Sequence, residues 1–138
     1  MQTPGTPGIK SLKPKDGEEL FSDELQTEYR SGVGMLLYLV KHSRPDITNA
    51  VRELSKCMDK ACERSMRELE RVIKFVISTS NLGLKIQPKM ENDIRDWEMV
   101  VFTDSDWAGD EDTRISVSGY IIFLMEVPIF WKSKGRDQ

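Results

Sequence analysis

Apolar residues recur at intervals of three and four between residues 22 and 80, and beyond residue 83 they fall instead into short strand-like runs. The first spacing places side chains on one face of a helix, and the second marks strands. A first helix is expected after Ser22, which stands at the N-cap, with Asp23, Glu24 and Glu28 suited to the positive end of the helix dipole. Its apolar face runs through Tyr29, Val33, Leu36, Leu37 and Val40. Gly32 and Gly34 each cost this helix about 1 kcal/mol against Ala, which points to close packing there. Pro45 restarts the chain as a tolerated first-turn proline, and Ile47, Ala50, Val51, Leu54 and Met58 follow at helical spacing. A third helix, over about residues 63–80, carries Met66, Leu69, Val72, Ile73, Val76 and Ile77 on one stripe, with its charges mostly outside.

After Asn81-Leu82-Gly83 the period changes. Leu84-Lys85-Ile86 reads as a short strand, and residues 88–96 as a polar connection. Three further strands are expected at residues 99–104, 116–124 and 127–131. The last two are so close that they should form an antiparallel hairpin, although Met125-Glu126 stands where Asn-Gly is usual. Pro128 places the final strand at an edge. The expected class is therefore α+β: a flexible linker at 1–21, a three-helix unit at 22–82, and an incomplete antiparallel sheet at 83–138. Three of the six prolines lie in that linker, so it is expected to be extended and without its own core.

Composition narrows the classes. With 38% hydrophobic and 31% charged residues the chain can bury a core in water. No run approaches the roughly 18 apolar residues of a membrane helix, and the N-terminus lacks a signal-peptide core, so an intracellular setting away from membranes is expected. Cys57 and Cys62 fall on different sides of a helix and are expected to be reduced and partly buried. Without a CxxC pair, and with a single His, a zinc site is excluded. His42 lies between two helices, as a cap or surface residue. The net charge of −3 conceals an uneven distribution. Residues 23–90 hold 12 Lys/Arg against nine Asp/Glu, whereas residues 91–112 hold nine acids against Arg95 alone. Such an acidic knot suits either a cation site or a solvated loop.

Within the knot, VVFTDSDWAGD is the most informative segment. An apolar strand delivers Asp104 at its end, where a rigid scaffold can hold a carboxylate, and Gly109 allows the chain to turn back. Hydrolysis by two metal ions needs several such carboxylates, so Asp104 alone is insufficient. Asp104, Asp106 and Gly109 fit positions 1, 3 and 6 of a calcium loop, but Ala108 and Ile115 fail two ligand positions. SGVG, at residues 31–34, has neither the Lys-Ser/Thr partner nor the preceding strand of a phosphate loop.

The order of the motifs then becomes informative. TEYRSGVGMLLYLVKHSRPDITNAVRELSKCM resembles the Y-R-x-L-V-G-x-L-L-Y-L and T-R-P-D-I-x-x-A-V segment of copia-type retrotransposon polyproteins. ERSMRELERVIKFVISTSNLGL is similar to the helix that follows. FTDSDWAGDEDTRISVSGYIIFL resembles S-D-A-D-W-A-G-D with R-x-S-T-S-G-Y after it, FWKSK resembles W-x-S-K, and TPGTPG resembles the connector before the region. The resemblance covers nearly the whole chain and implies the end of a reverse transcriptase followed by the first strands of a ribonuclease H-like domain. It implies that Asp104 is a catalytic carboxylate and a Mg2+ ligand, with an RNA–DNA hybrid as substrate and the rest of the Pol polyprotein as partner. Asp106, Trp107 and Gly109 match the same motif, the last two as structural residues. Lys132, Ser133 and Lys134 either approach a nucleic-acid backbone or form a solvated strand end. Gly32 stands for the usual Leu, and Val117 for the usual Thr. The paired-aspartate polymerase motif and the later Ser-x-x-Glu-Ala-Glu helix do not occur, so a fragment without independent catalysis is expected; a non-catalytic interaction module is the alternative.

Overall fold

The computed structural model describes residues 12–15, 17–88, 97–106 and 116–135, apart from the side chain of Asp106. It separates into two compact units, Met1–Gly83 and Leu84–Gln138.

In the first unit, α1 spans Asp23–His42, a short 3-10 turn spans Pro45–Ile47, α2 spans Thr48–Ser55 and α3 spans Glu63–Ser78. Ser22 occupies the N-cap of α1 without a side-chain capping bond; its carbonyl accepts from Gln26 N–H at 2.9 Å. Proline at the start of the 3-10 turn lacks the N–H that a first turn leaves unsatisfied. The helix expected from Pro45 is therefore split: one tight turn, then α2. Met58 of its expected stripe lies beyond the end of α2, and Leu37 of the α1 stripe and Ile77 of the α3 stripe are exposed. The remaining stripes converge as expected. Tyr29, Val33, Ile47, Val51, Leu54 and Val72 are completely buried together.

Polar groups inside this core are paired. The Tyr29 hydroxyl donates to the Leu54 carbonyl at 2.8 Å, closing the end of α2 onto α1. The buried Gln26 amide donates to Ala61 O at 3.1 Å and accepts from Ala61 N at 3.2 Å, as a strand neighbour would. Gly32 lies where α1 packs against α3: a Cβ there would lie 2.8 Å from Leu69 Cδ2. Gly34 meets nothing, so the close packing expected at both glycines occurs at one. The stretch read as a linker also joins this core. Leu12 is buried in it, and Glu18 pairs with Arg64 at 2.6 Å. Cys57 and Cys62 are free thiols, more fully buried than expected.

In the second unit, β1 spans Met99–Asp106, β2 spans Val117–Leu124 and β3 spans Val127–Gly135. They form an antiparallel sheet in the order β1-β2-β3. The hairpin forms despite its turn chemistry. Met125 and Glu126 adopt φ of 51° and 66°, the left-handed pair a two-residue turn requires and which Gly or Asn adopts more readily. Pro128 lies on an edge strand, as expected, and the ladder slips by one residue between Ile122 and Phe123. Leu84-Lys85-Ile86 forms no strand: three residues without a pairing partner do not make a ladder. Among the described residues no helix is long and apolar enough to cross a membrane.

Candidate functional site

Strand register decides which candidate residues can act together, because residues directly opposite in an antiparallel ladder project to the same face. Asp104 lies opposite Gly119, and Gly119 lies opposite Ser133. These three form one row across the sheet. Two rows adjoin it on that face: an apolar one made by Phe102, Ile121 and Trp131, and the row Asp106-Val117-Gly135 at the end of the ladder. The other face carries the rows Thr103-Tyr120-Lys132 and Ser105-Ser118-Lys134. The trio Lys132, Ser133 and Lys134 is thus divided. Ser133 shares a face with Asp104, and the two lysines point away from it.

Asp104 sits third from the end of β1, exposed, and among the described residues its side chain has no hydrogen-bond or ion-pair partner. The apolar residues before it and the eight-residue ladder with β2 fix its backbone. An exposed carboxylate on a rigid strand suits a hard cation such as Mg2+, which takes oxygen ligands and retains several waters. Asp104 fits that role as one ligand. Among the described residues no group of three or more His, Cys, Asp or Glu comes together to hold a metal. Asp106 ends β1 opposite Val117, while Trp107 and Gly109 lie outside the described residues.

Gly119 is the glycine of the R-x-S-T-S-G-Y match, a position to which the motif by itself assigns no role. A glycine inside an otherwise β-branched and aromatic strand pattern is nonetheless a signal in its own right. His42 ends α1 with its ring tilted against Tyr38 at 4.3 Å, a surface contact and not a catalytic arrangement. The buried thiols are unsuited to nucleophilic chemistry: burial, reinforced by neighbouring Cys62, pushes the Cys57 thiol up to about 11, and burial likewise raises the Tyr29 phenol.

Comparison with known proteins places this geometry in context. The Retrovirus-related Pol polyprotein from transposon RE1 of Arabidopsis thaliana is 40% identical over 110 residues, which are 80% of this chain and 7% of the polyprotein. The corresponding polyprotein from transposon RE2 is 38% identical over the same shares. Secreted RxLR effector protein 161 of Plasmopara viticola is 35% identical over 108 residues, 78% of this chain and 72% of the effector. The chain therefore spans less than a tenth of the length of the two polyproteins. No protein-family model matches the chain, and no solved structure matches it.

Proposed function

The chain belongs to the copia-type retrotransposon Pol polyproteins, and from that premise we propose that it supplies the helical end of a reverse transcriptase and the opening strands of a ribonuclease H-like domain. In the proposed whole, the enzyme copies RNA into DNA and hydrolyses RNA in RNA–DNA hybrids. Asp104 holds one position of a Mg2+ site, and the cation, when bound, would polarise the scissile phosphate and lower the pKa of an attacking water. The observation that supports this role is the exposed Asp104 carboxylate, unpaired among the described residues, on a strand held by its ladder with β2. Among the described residues Asp104 is the one carboxylate in that row, and one carboxylate cannot hold the pair of ions that such hydrolysis uses, so the reading includes no cleavage by the chain alone.

The test is a labelled RNA–DNA hybrid incubated with the chain and Mg2+. No cleavage above background is expected, and Asp104→Asn should behave identically. Cleavage that disappears in Asp104→Asn would overturn the claim of inactivity. In a full-length Pol carrying this segment, the same substitution should abolish RNA cleavage and leave DNA synthesis intact; retained cleavage would remove Asp104 from the site.

The effector relative favours a second reading, because the matched segment makes up most of that protein. On this reading the chain is a non-catalytic module that binds a protein or nucleic acid. Binding through phosphates should weaken steeply with salt. Hybrid titrations at low and high salt separate the possibilities, since salt-insensitive or absent binding leaves only a protein partner.

A further inference from the structure

Three contacts fix how α1 and α3 run beside each other. Gln26 meets Ala61, Gly32 meets Leu69, and Arg44 meets Thr79, so the offset between partners stays between 35 and 37 residues and the helices are parallel. At about 100° per residue, Tyr29 and Val33 turn from that line of contact toward α2, where the Tyr29 hydroxyl reaches Leu54. Met35 and Leu39 lie on the other flank of α1. On α3, Met66, Ile73 and Ile77 lie on the flank of Leu69 away from the buried Ser65 and Val72. Because both helices are right-handed and parallel, these two flanks share one side of the pair, the side opposite α2.

There they form an apolar seam about three turns long, with Met35 level with Ile73 and Leu39 with Ile77. Leu39, Met66 and Ile73 are half-buried, whereas Met35 and Ile77 are 65% and 67% exposed. Exposed apolar residues scattered singly are ordinary; a continuous row on two adjoining helices marks a docking surface. The groove between two packed helices takes the ridge of a third, and methionine adapts to irregular partners. The charges beside the seam narrow the choice. The next positions outward are Glu24 and Glu28 on α1 and Glu63 and Glu70 on α3, all exposed. Arg67 and Lys74, which pair with Glu63 and Glu70, stand further from the seam, and Arg30 and Lys41 lie on the far flank of α1. An acidic rim repels a phosphate backbone and attracts Lys and Arg.

We propose that the α1–α3 seam seats an amphipathic helix of a protein partner, with its apolar stripe against Met35, Ile73 and Ile77 and its flanking Lys or Arg residues against the glutamates. The proposal deepens the second reading above by naming the kind of partner, and it is independent of Asp104.

Anisotropy of a fluorescein-labelled peptide of about four helical turns, with Leu on one stripe and Lys beside it, titrated with the full chain, tests this. Binding is expected, and a peptide with Glu in place of each Lys should bind at least about tenfold more weakly. Met35→Gln and Ile77→Gln should each weaken binding by about tenfold through loss of one buried apolar side chain. Both sites are exposed in the chain alone, so the helical circular-dichroism band and its thermal midpoint should not change. Trp97, Trp107 and Trp131 all lie beyond residue 83, so their fluorescence should stay constant; a shift would place the peptide on the second unit and overturn the proposal. Equal affinity for the two peptides, or unchanged affinity in both seam variants, would overturn it as well. Self-association of the chain alone that disappears in Ile77→Gln would make a second copy the occupant and replace the basic partner. Absence of binding by the Lys peptide would defeat the seam, while the hybrid titrations above still decide the second reading.

Discussion

In the helical unit the apolar side chains face one another, and in the sheet they face outward. Tyr29, Val51 and Leu54 are fully enclosed, whereas Phe102 is 60% exposed and Val127 is the sheet's one buried apolar residue among those described. The chemistry of the side chains does not account for the difference. Each helix carries one apolar stripe, and three helices are enough to cover three stripes. A single layer of three strands has two faces, and neither can cover the other. The contrast teaches that apolar content does not make a core; the geometry of the layer does.

The largest test of that contrast is truncation on each side of it. Leu54→Ala should cost the helical unit about 2–5 kcal/mol, measured by denaturant unfolding at the helical circular-dichroism band. Phe102→Ala, at an exposed site, should change stability by less than about 0.5 kcal/mol in tryptophan fluorescence. Equal costs would remove the distinction between the units.

The next effect concerns Arg44, whose guanidinium donates to Asp46 at 2.9 and 2.8 Å and to the Thr79 hydroxyl at 2.8 Å, above the Phe75 ring. This fork fastens the α1–α2 connection to the end of α3. Arg44→Lys keeps the charge and loses the fork, so a loss of about 1–3 kcal/mol is expected, seen only at the helical band. A neutral outcome would show that charge alone suffices.

Alkali should separate the units as well. The fold favours the neutral form of Cys57, so its contribution is fully present below the ordinary thiol value of 9.0 and is lost as pH rises through about 11. Tyr29, raised by the same burial, adds to the loss at higher pH. The helical denaturation midpoint should fall over that range, and Cys57→Ala should flatten the fall; an unchanged slope in that variant would exclude the thiol as a cause.

The smallest effect compares two glycines in α1. Gly34→Ala has open space and should stabilise by about 0.5–1 kcal/mol, the difference in helix propensity. At Gly32 the same gain is offset by displacement of Leu69, so Gly32→Ala should fall below Gly34→Ala in thermal midpoint.

Much of this was legible from residue spacing. The three helices and the hairpin follow from periodicity, because burial of one helical stripe or one strand pairing is a local matter. The split at Pro45–Ile47 was not legible, since a 3-10 turn and a first α-turn share the same proline. Leu12 escaped because a single apolar residue among Pro, Gly and Lys has no period to display. Asp104 was visible in its motif. Its row was not, because two ladder registers, one of them joining strands eleven residues apart in sequence at their nearest ends, decide which residues share its face. The unglycinated turn at Met125-Glu126 shows that local preference can be overridden once the flanking strands pair.

The slip in the β2–β3 ladder has a consequence for how this sequence tolerates change in length. Ile129 is the unpaired extra residue of β3. Deleting that one codon while the turn keeps its pairing would leave Phe130 opposite Ile122 and every later partner unchanged. Loss of Phe130 would be absorbed in the same way, with Ile129 taking its place in the ladder. The bulge thus acts as a spare link: one residue can be lost there while Lys132, Ser133 and Lys134 keep their faces, whereas a deletion nearer the end of β3 would invert those beyond it.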